Sequence, residues 1–278
     1  MSSIFYGLIA ALGWGAADFI GGLASKRSSP YRVLALAEVA GFIPIFLVTL
    51  FSDEALPPIS IWLWSGAASV AGMIGLVLLY RALSSGRMTV AAPVSALLAA
   101  LIPIPVGALT EGLPGAWTYA GFALALAAIW LVSQESGSLR WQVNLRDLGL
   151  PLLAGFFFGL YFLLIHEASR ETTLWPLVNA RLTAALLMAA FGLLRRQPIF
   201  PERPLWPLVS LGGMMDVVGN IFYVLAGQTG RLDVTVVLSS LYPGTTVLLA
   251  WVFLKERINR VQAVGILLAL AAIVFLTL

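Results

Sequence analysis

The same succession of landmarks occurs twice in this chain, half a chain apart. Gly86–Arg87 is followed by an apolar run, then Glu111, then Gly121 opening a stretch that ends Leu126–Ala127–Ala128–Ile129. Gly230–Arg231 is followed by an apolar run, then Glu256, then Gly265 opening a stretch that ends Leu270–Ala271–Ala272–Ile273. The glycines are offset by 144 residues and the glutamates by 145, so one residue is gained or lost between the copies. A repeat of half the chain length, in a chain this apolar, points to a transporter architecture of two homologous bundles.

The apolar character decides the medium. Of 278 residues, 60% are hydrophobic and 10% charged, with a mean hydropathy of +0.96. So few charges cannot cover the surface of a water-soluble domain of this size. Runs of about 20 apolar residues recur along the chain, each long enough to cross a bilayer as a helix. Backbone polar groups in lipid must be satisfied internally, so helices are expected. The runs are continuous rather than alternating, which argues against a membrane β-barrel. The first run lacks the basic flank of a secretory signal and is too long for one, so it reads as part of the fold.

Ten helices are expected, over 3–24, 31–51, 61–83, 88–109, 116–133, 149–167, 174–194, 206–227, 234–254 and 260–278. The longest polar stretch, Ser133–Asp147, separates the fifth from the sixth. The expected organisation is therefore a five-helix repeat over 1–133, a linker over 134–148 and a second five-helix repeat over 149–278. Five is odd, so the second repeat enters the membrane from the opposite face, and the repeats are inverted. The fold class is an all-α polytopic membrane protein of ten transmembrane helices. Thirteen Lys and Arg residues fall on the odd-numbered connections, from Lys26 and Arg27 to Arg260, against Arg170 and Arg231 on the other side. The positive-inside rule places the odd connections in the cytoplasm and both termini outside.

Several motifs resemble those of a known family. Leu238–Ser239–Ser240–Leu241–Tyr242–Pro243 leads through Lys255–Glu256–Arg257 to Gln262 and Gly265. This resembles the end of an EamA domain, the repeat unit of the drug/metabolite transporter superfamily. Gly13–Trp14–Gly15 resembles the first helix of the same unit. The resemblance implies alternating-access transport of a small organic solute: an amino acid, a drug or another metabolite. It also implies efflux, proton coupling or exchange, and a place in the bacterial inner membrane. Within the superfamily, small multidrug transporters carry an Ala-Glu-Val-x-Gly motif whose glutamate binds protons and cationic drugs in turn. Ala37–Glu38–Val39–Ala40–Gly41 is similar to it, and the equivalent second-half position reads Arg181–Leu182.

Charged residues inside hydrocarbon are costly, and each marks a candidate site. Glu38 lies about 10 Å inside the second helix at 1.5 Å per residue, as a proton or cation site or one half of an ion pair. Asp18 shares a helix face with Trp14, as a substrate ligand or a partner for Lys26 or Arg27. Asp216, Asn220 and Tyr223 follow at helical spacing on one face of the eighth helix. Arg181 answers a substrate carboxylate, or neutralises Glu38 or Asp216. Ser95 and Ser239 occupy matching repeat positions, as cavity or helix-packing hydroxyls. Tyr80, Tyr161, Trp130 and Trp175 read as interfacial anchors. Pro93, Pro103, Pro105 and Pro243 imply kinks or breaks in the fourth and ninth helices.

No cofactor, metal site, catalytic residue or nucleic-acid partner is expected: cysteine is absent and only one histidine is present. The expected partners are a small-molecule substrate, a proton if transport is proton-coupled, and the lipid bilayer, with a monomer sufficient and a dimer compatible. The alternatives are a flippase for a lipid-linked substrate, an intramembrane enzyme and a membrane scaffold.

Overall fold

The structure, a computed structural model, describes residues 2–84, 88–134, 148–255 and 257–277, with side chains outside 80–93. The Gly86–Arg87 turn, nearly all of the linker expected over 134–148 and Glu256 lie outside the described residues, as do the side chains of Tyr80, Arg81, Ala92 and Pro93.

Helices account for the described architecture, with no strand among the described residues. They are α1 (Ser2–Ser25), α2 (Pro30–Leu50), α3 (Ile59–Ser84), α4 (Met88–Leu101), α5 (Pro103–Glu111) and α6 (Ala116–Val132). The second part of the chain gives α7 (Gly149–Ala168), α8 (Leu174–Leu194), α9 (Trp206–Thr229), α10 (Leu232–Ser239), α11 (Tyr242–Leu254) and α12 (Arg260–Thr277). Nine stretches among the described residues are long and apolar enough to cross a membrane, and α6 is a shorter apolar helix. Large apolar side chains such as Phe51, Leu109, Leu194 and Phe253 stand on the outer surface, where lipid takes the place of a protein partner.

The expected fourth and ninth helices are each broken in two. Pro103 opens α5 and Pro243 lies in the first turn of α11. A proline ring clashes with the carbonyl four residues back and supplies no N–H, but it fits a first turn, where no intrahelical partner exists. Pro44 lies inside α2 without ending it; the sequence reading did not single it out.

The main helix contacts join early elements to late ones: α1 with α9, α3 with α7, α6 with α12, and α2 with both α8 and α9. They recur in exchanged form at the 144-residue offset. A Cβ on Gly121 would meet Leu276 at 2.7 Å, and one on Gly265 would meet Val132 at 2.7 Å. Gly75 lies against Phe158, and Gly219 against Trp14. The indole of Trp62 donates to the Pro57 carbonyl at 3.2 Å, and that of Trp206 to the Pro201 carbonyl at 3.0 Å.

One end of the bundle is tied by polar contacts. Glu54 accepts from the backbone N–H groups of Thr173 and Leu174 at 2.9 Å and of Trp175 at 3.4 Å. A carboxylate there satisfies otherwise unpaired donors of the first turn of α8 and sits at the positive end of its dipole. Gln228 donates to the Ser169 carbonyl at 2.6 Å, and Arg231 donates to the Gly112 carbonyl and pairs with buried Asp233 at 2.8 Å. At the opposite end, α2 begins beside Glu202, which pairs with Arg32 at 3.3 Å on an exposed surface.

Candidate functional site

Arg181 sits in the third turn of α8, whose start is fixed by Glu54, and its side chain is buried against α2 and α9. Its Nη1 donates to Glu38 Oε2 at 2.8 Å, and its Nη2 is paired with Asp216 Oδ2. Glu38 and Arg181 are 12% and 9% exposed at the side chain, whereas Asp216 keeps 34% of its surface open. An isolated guanidinium in this setting carries a heavy desolvation cost, which two carboxylates offset by charge and by directed hydrogen bonds. The approach requires close backbones. A Cβ on Gly213 would run into the Ala37 carbonyl, and one on Gly41 would meet Val217 at 2.8 Å.

The network continues along α9. Asn220 Nδ2 donates to Asp216 Oδ2 at 3.0 Å and to the Asp216 carbonyl at 2.7 Å. Tyr161 of α7 donates to Asn220 Oδ1 at 2.5 Å. Four helices, α2, α7, α8 and α9, thus meet through one polar chain. The reading of Tyr161 as an interfacial anchor is corrected: its hydroxyl ends in the interior network. One signal was available, because Tyr161 falls 144 residues after Ala17, beside Asp18.

An aromatic cluster lies next to this chain. Trp14 is 5.7 Å from Phe162, 5.5 Å from Tyr223 and 6.5 Å, edge-on, from Tyr242, measured between ring centroids. Tyr223 is fully buried and donates to the Phe162 carbonyl at 3.1 Å, so a buried polar tip finds its partner. Gly13 and Gly219 let α1 and α9 touch here: a Cβ on Gly13 would stand 2.7 Å from the Gly219 nitrogen.

Asp18 stands one turn from Trp14 along α1. It has no hydrogen bond or ion pair among the described residues, Lys26 and Arg27 included. Its side chain is exposed, while Ala11 and Trp14 on the same stripe are buried. The lipid-facing stripe of α1, marked by Phe5 and Leu12, lies on the other side of the helix at 100° per residue. Asp18 therefore faces an interior opening, one turn from the Trp14 ring that meets Tyr242 edge-on. α1 meets α9 where Ile20 lies beside Gly212 and Trp14 beside Gly219. That antiparallel register puts Asp216 and Asp18 at nearly the same depth.

The structure thus brings Glu38, Arg181, Asp216 and Asn220 into one network and joins Trp14 to Tyr223 in the aromatic cluster. The two serines sit in helix packing. Ser95 is buried in α4, and Ser239 is fully buried with its hydroxyl donating to the Thr235 carbonyl at 2.8 Å. No group of three or more metal-ligating side chains occurs among the described residues.

The sequence profile of the EamA-like transporter family matches residues 1–134 and again 148–278. An uncharacterized protein of Methanocaldococcus jannaschii is 24% identical over 129 residues, covering 46% of this chain and 94% of that protein. A solved structure, titled only as the crystal structure of a protein, superposes with a TM-score of 0.83. It is 19% identical and is covered over 100% of this chain and 99% of its own. That likeness concerns the fold alone.

Proposed function

The chain belongs to the EamA-like transporter family, and from that premise we propose that it moves a small organic solute by alternating access, with Glu38, Arg181, Asp216, Asn220 and Tyr161 at the moving centre. It is a multi-pass membrane protein and a membrane transporter of small solutes. The finer reading is a secondary active exporter of the bacterial inner membrane, with both termini outside. Its two halves, 1–133 and 149–278, are inverted repeats joined by a linker.

The observation that carries this reading is the shared guanidinium. Arg181 is held between Glu38 of the first half and Asp216 of the second. A buried triad of this kind contributes little net stability but strongly penalises loss of a member. A proton or a substrate group that takes one carboxylate away releases α2 from α8, or α9 from α8. The exchange of contacts at the 144-residue offset supports a rocking motion, because the same packing with partners swapped gives the opposite opening. The polar ties at Glu54, Gln228 and Arg231 support a state closed at the end bearing the N-terminus. The opening at Asp18 supports access from the end bearing Lys26 and Arg27, read as the cytoplasm. Ser95 and Ser239 then serve helix packing, and Trp14 and Tyr223 form the closed floor.

The test is solute counterflow in proteoliposomes across a panel of amino acids, amines and drugs, with Glu38→Gln and Asp216→Asn beside the wild type. A solute exchanged by the wild type and blocked by either variant, with both variants folded, is the expected result. Unchanged exchange in both variants removes the triad from the mechanism. Translocation of polyprenyl lipids, with no soluble solute moved, replaces this reading with lipid flipping.

A further inference from the structure

Resting on the transport reading above, we infer that the interior opening beside Asp18 is a subsite for an organic cation, with the Asp18 carboxylate as its counter-ion and Trp14 and Tyr242 as its aromatic wall. Three observations carry it. First, the stripe of α1 running Ala11, Trp14, Asp18, Gly22 goes from buried to exposed along the helix. A Cβ built on Gly21 or on Gly22 meets no described atom within 4 Å. The interior face of α1 is therefore open from its basic end up to Asp18 and closed beyond it by the packed rings of Trp14, Phe162, Tyr223 and Tyr242.

Second, Asp18 has no protein partner among the described residues. An acid about 10 Å inside a spanning helix, at 1.5 Å per residue from Ser25, is retained at a cost unless something answers its charge. Third, among the described residues the only basic side chain at this depth is already taken. Arg181 is engaged by Glu38 and by Asp216, which leaves acids in excess over bases around the opening. Lys26 and Arg27 lie beyond the mouth, exposed, where water and salt screen them. The arrangement favours a cation and disfavours a free carboxylate. Aromatic faces beside an acid are the chemistry that receives an ammonium or a quaternary nitrogen.

The native chain has no cysteine, so a single introduced thiol reports on this opening. Gly22→Cys places one on the open stripe and leaves Asp18 in place. Its modification rate is measured in the folded, detergent-purified protein with two methanethiosulfonates, one bearing trimethylammonium and one bearing sulfonate. The rates are taken relative to those of a small free thiol. The cationic reagent is expected to be favoured by about tenfold, the size of one carboxylate acting across several ångströms of partly polar interior. Asp18→Asn in the same background abolishes that preference and Asp18→Glu keeps it. Benzyltrimethylammonium slows the reaction, its neutral carbon isostere neopentylbenzene does not, and the protection vanishes in Asp18→Asn. No reaction with either reagent, a preference for the sulfonate, or a ratio unchanged by Asp18→Asn overturns the inference. The labelling reads charge and access at rest, so a protein that carries no solute in liposomes refutes the transport reading without altering this result.

Discussion

Arg181 fixes the energetics of the interior. Its guanidinium lies between two acids on two other helices. Replacing it by leucine leaves both carboxylates without their partner. Arg181→Leu is expected to destabilise the protein by about 3–5 kcal/mol, the typical cost of orphaning a buried charge. The triple change Arg181→Leu, Glu38→Gln, Asp216→Asn recovers most of that loss, because neutral side chains avoid the desolvation cost. Thermal or denaturant unfolding in detergent checks both. Tyr161→Phe removes a single hydrogen bond to Asn220 and is expected to cost about 1 kcal/mol, read in the same unfolding measurement. The candidate residues were legible individually, because a charge in an apolar run stands out. A pairing of Arg181 with Glu38 or Asp216 was one of two readings open to it; that Arg181 holds both acids at once was not legible, since it depends on α2 and α9 both packing on α8. Tyr161 was missed for the same reason: a tyrosine in a spanning helix looks alike whether it ends at the interface or in a network.

At the scale of the element, helix crossings depend on where side chains are absent. α1 and α9 touch at Gly13 and Gly219, and a Cβ on Gly13 would meet backbone atoms on α9 rather than a side chain that can turn away. Gly13→Ala is therefore expected to destabilise by about 1–3 kcal/mol, the usual penalty of overpacking. Gly21→Ala, eight residues along the same helix and in open space, is neutral or gains about 0.5–1 kcal/mol from lost chain entropy. Comparing the two melting temperatures separates crossing geometry from helix propensity. The helix ranges themselves were readable, because polar breaks and first-turn prolines mark them locally. The division of the fourth and ninth spans into α4–α5 and α10–α11 followed from Pro103 and Pro243, since the steric clash of a proline is a local matter.

For the whole molecule, the two ends of the bundle differ in their polar contacts. Glu54 holds the start of α8 by three backbone donors, whereas Glu202 at the other end pairs with the side chain of Arg32 from an exposed position. Glu54→Ala is expected to loosen the tied end. Spin labels at Asp53→Cys and Thr229→Cys, both exposed positions in a cysteine-free chain, then report a longer distance population by electron double resonance. A distance distribution unchanged by Glu54→Ala assigns the carboxylate to capping α8 alone.

The sequence by itself determined the medium, the helical content, the half-length repeat and the identity of the costly interior charges. Each of these is written in composition or local spacing, which the bilayer reads directly. Tertiary structure alone decided that Arg181 is shared by Glu38 and Asp216, that Tyr161 closes their network, and that Asp18 stands in an opening without a partner among the described residues. Those facts depend on which helix faces meet, and hence on backbone approaches at Gly13, Gly41 and Gly213. No local pattern encodes these approaches, because a glycine on one helix means close contact only once its partner helix is in place.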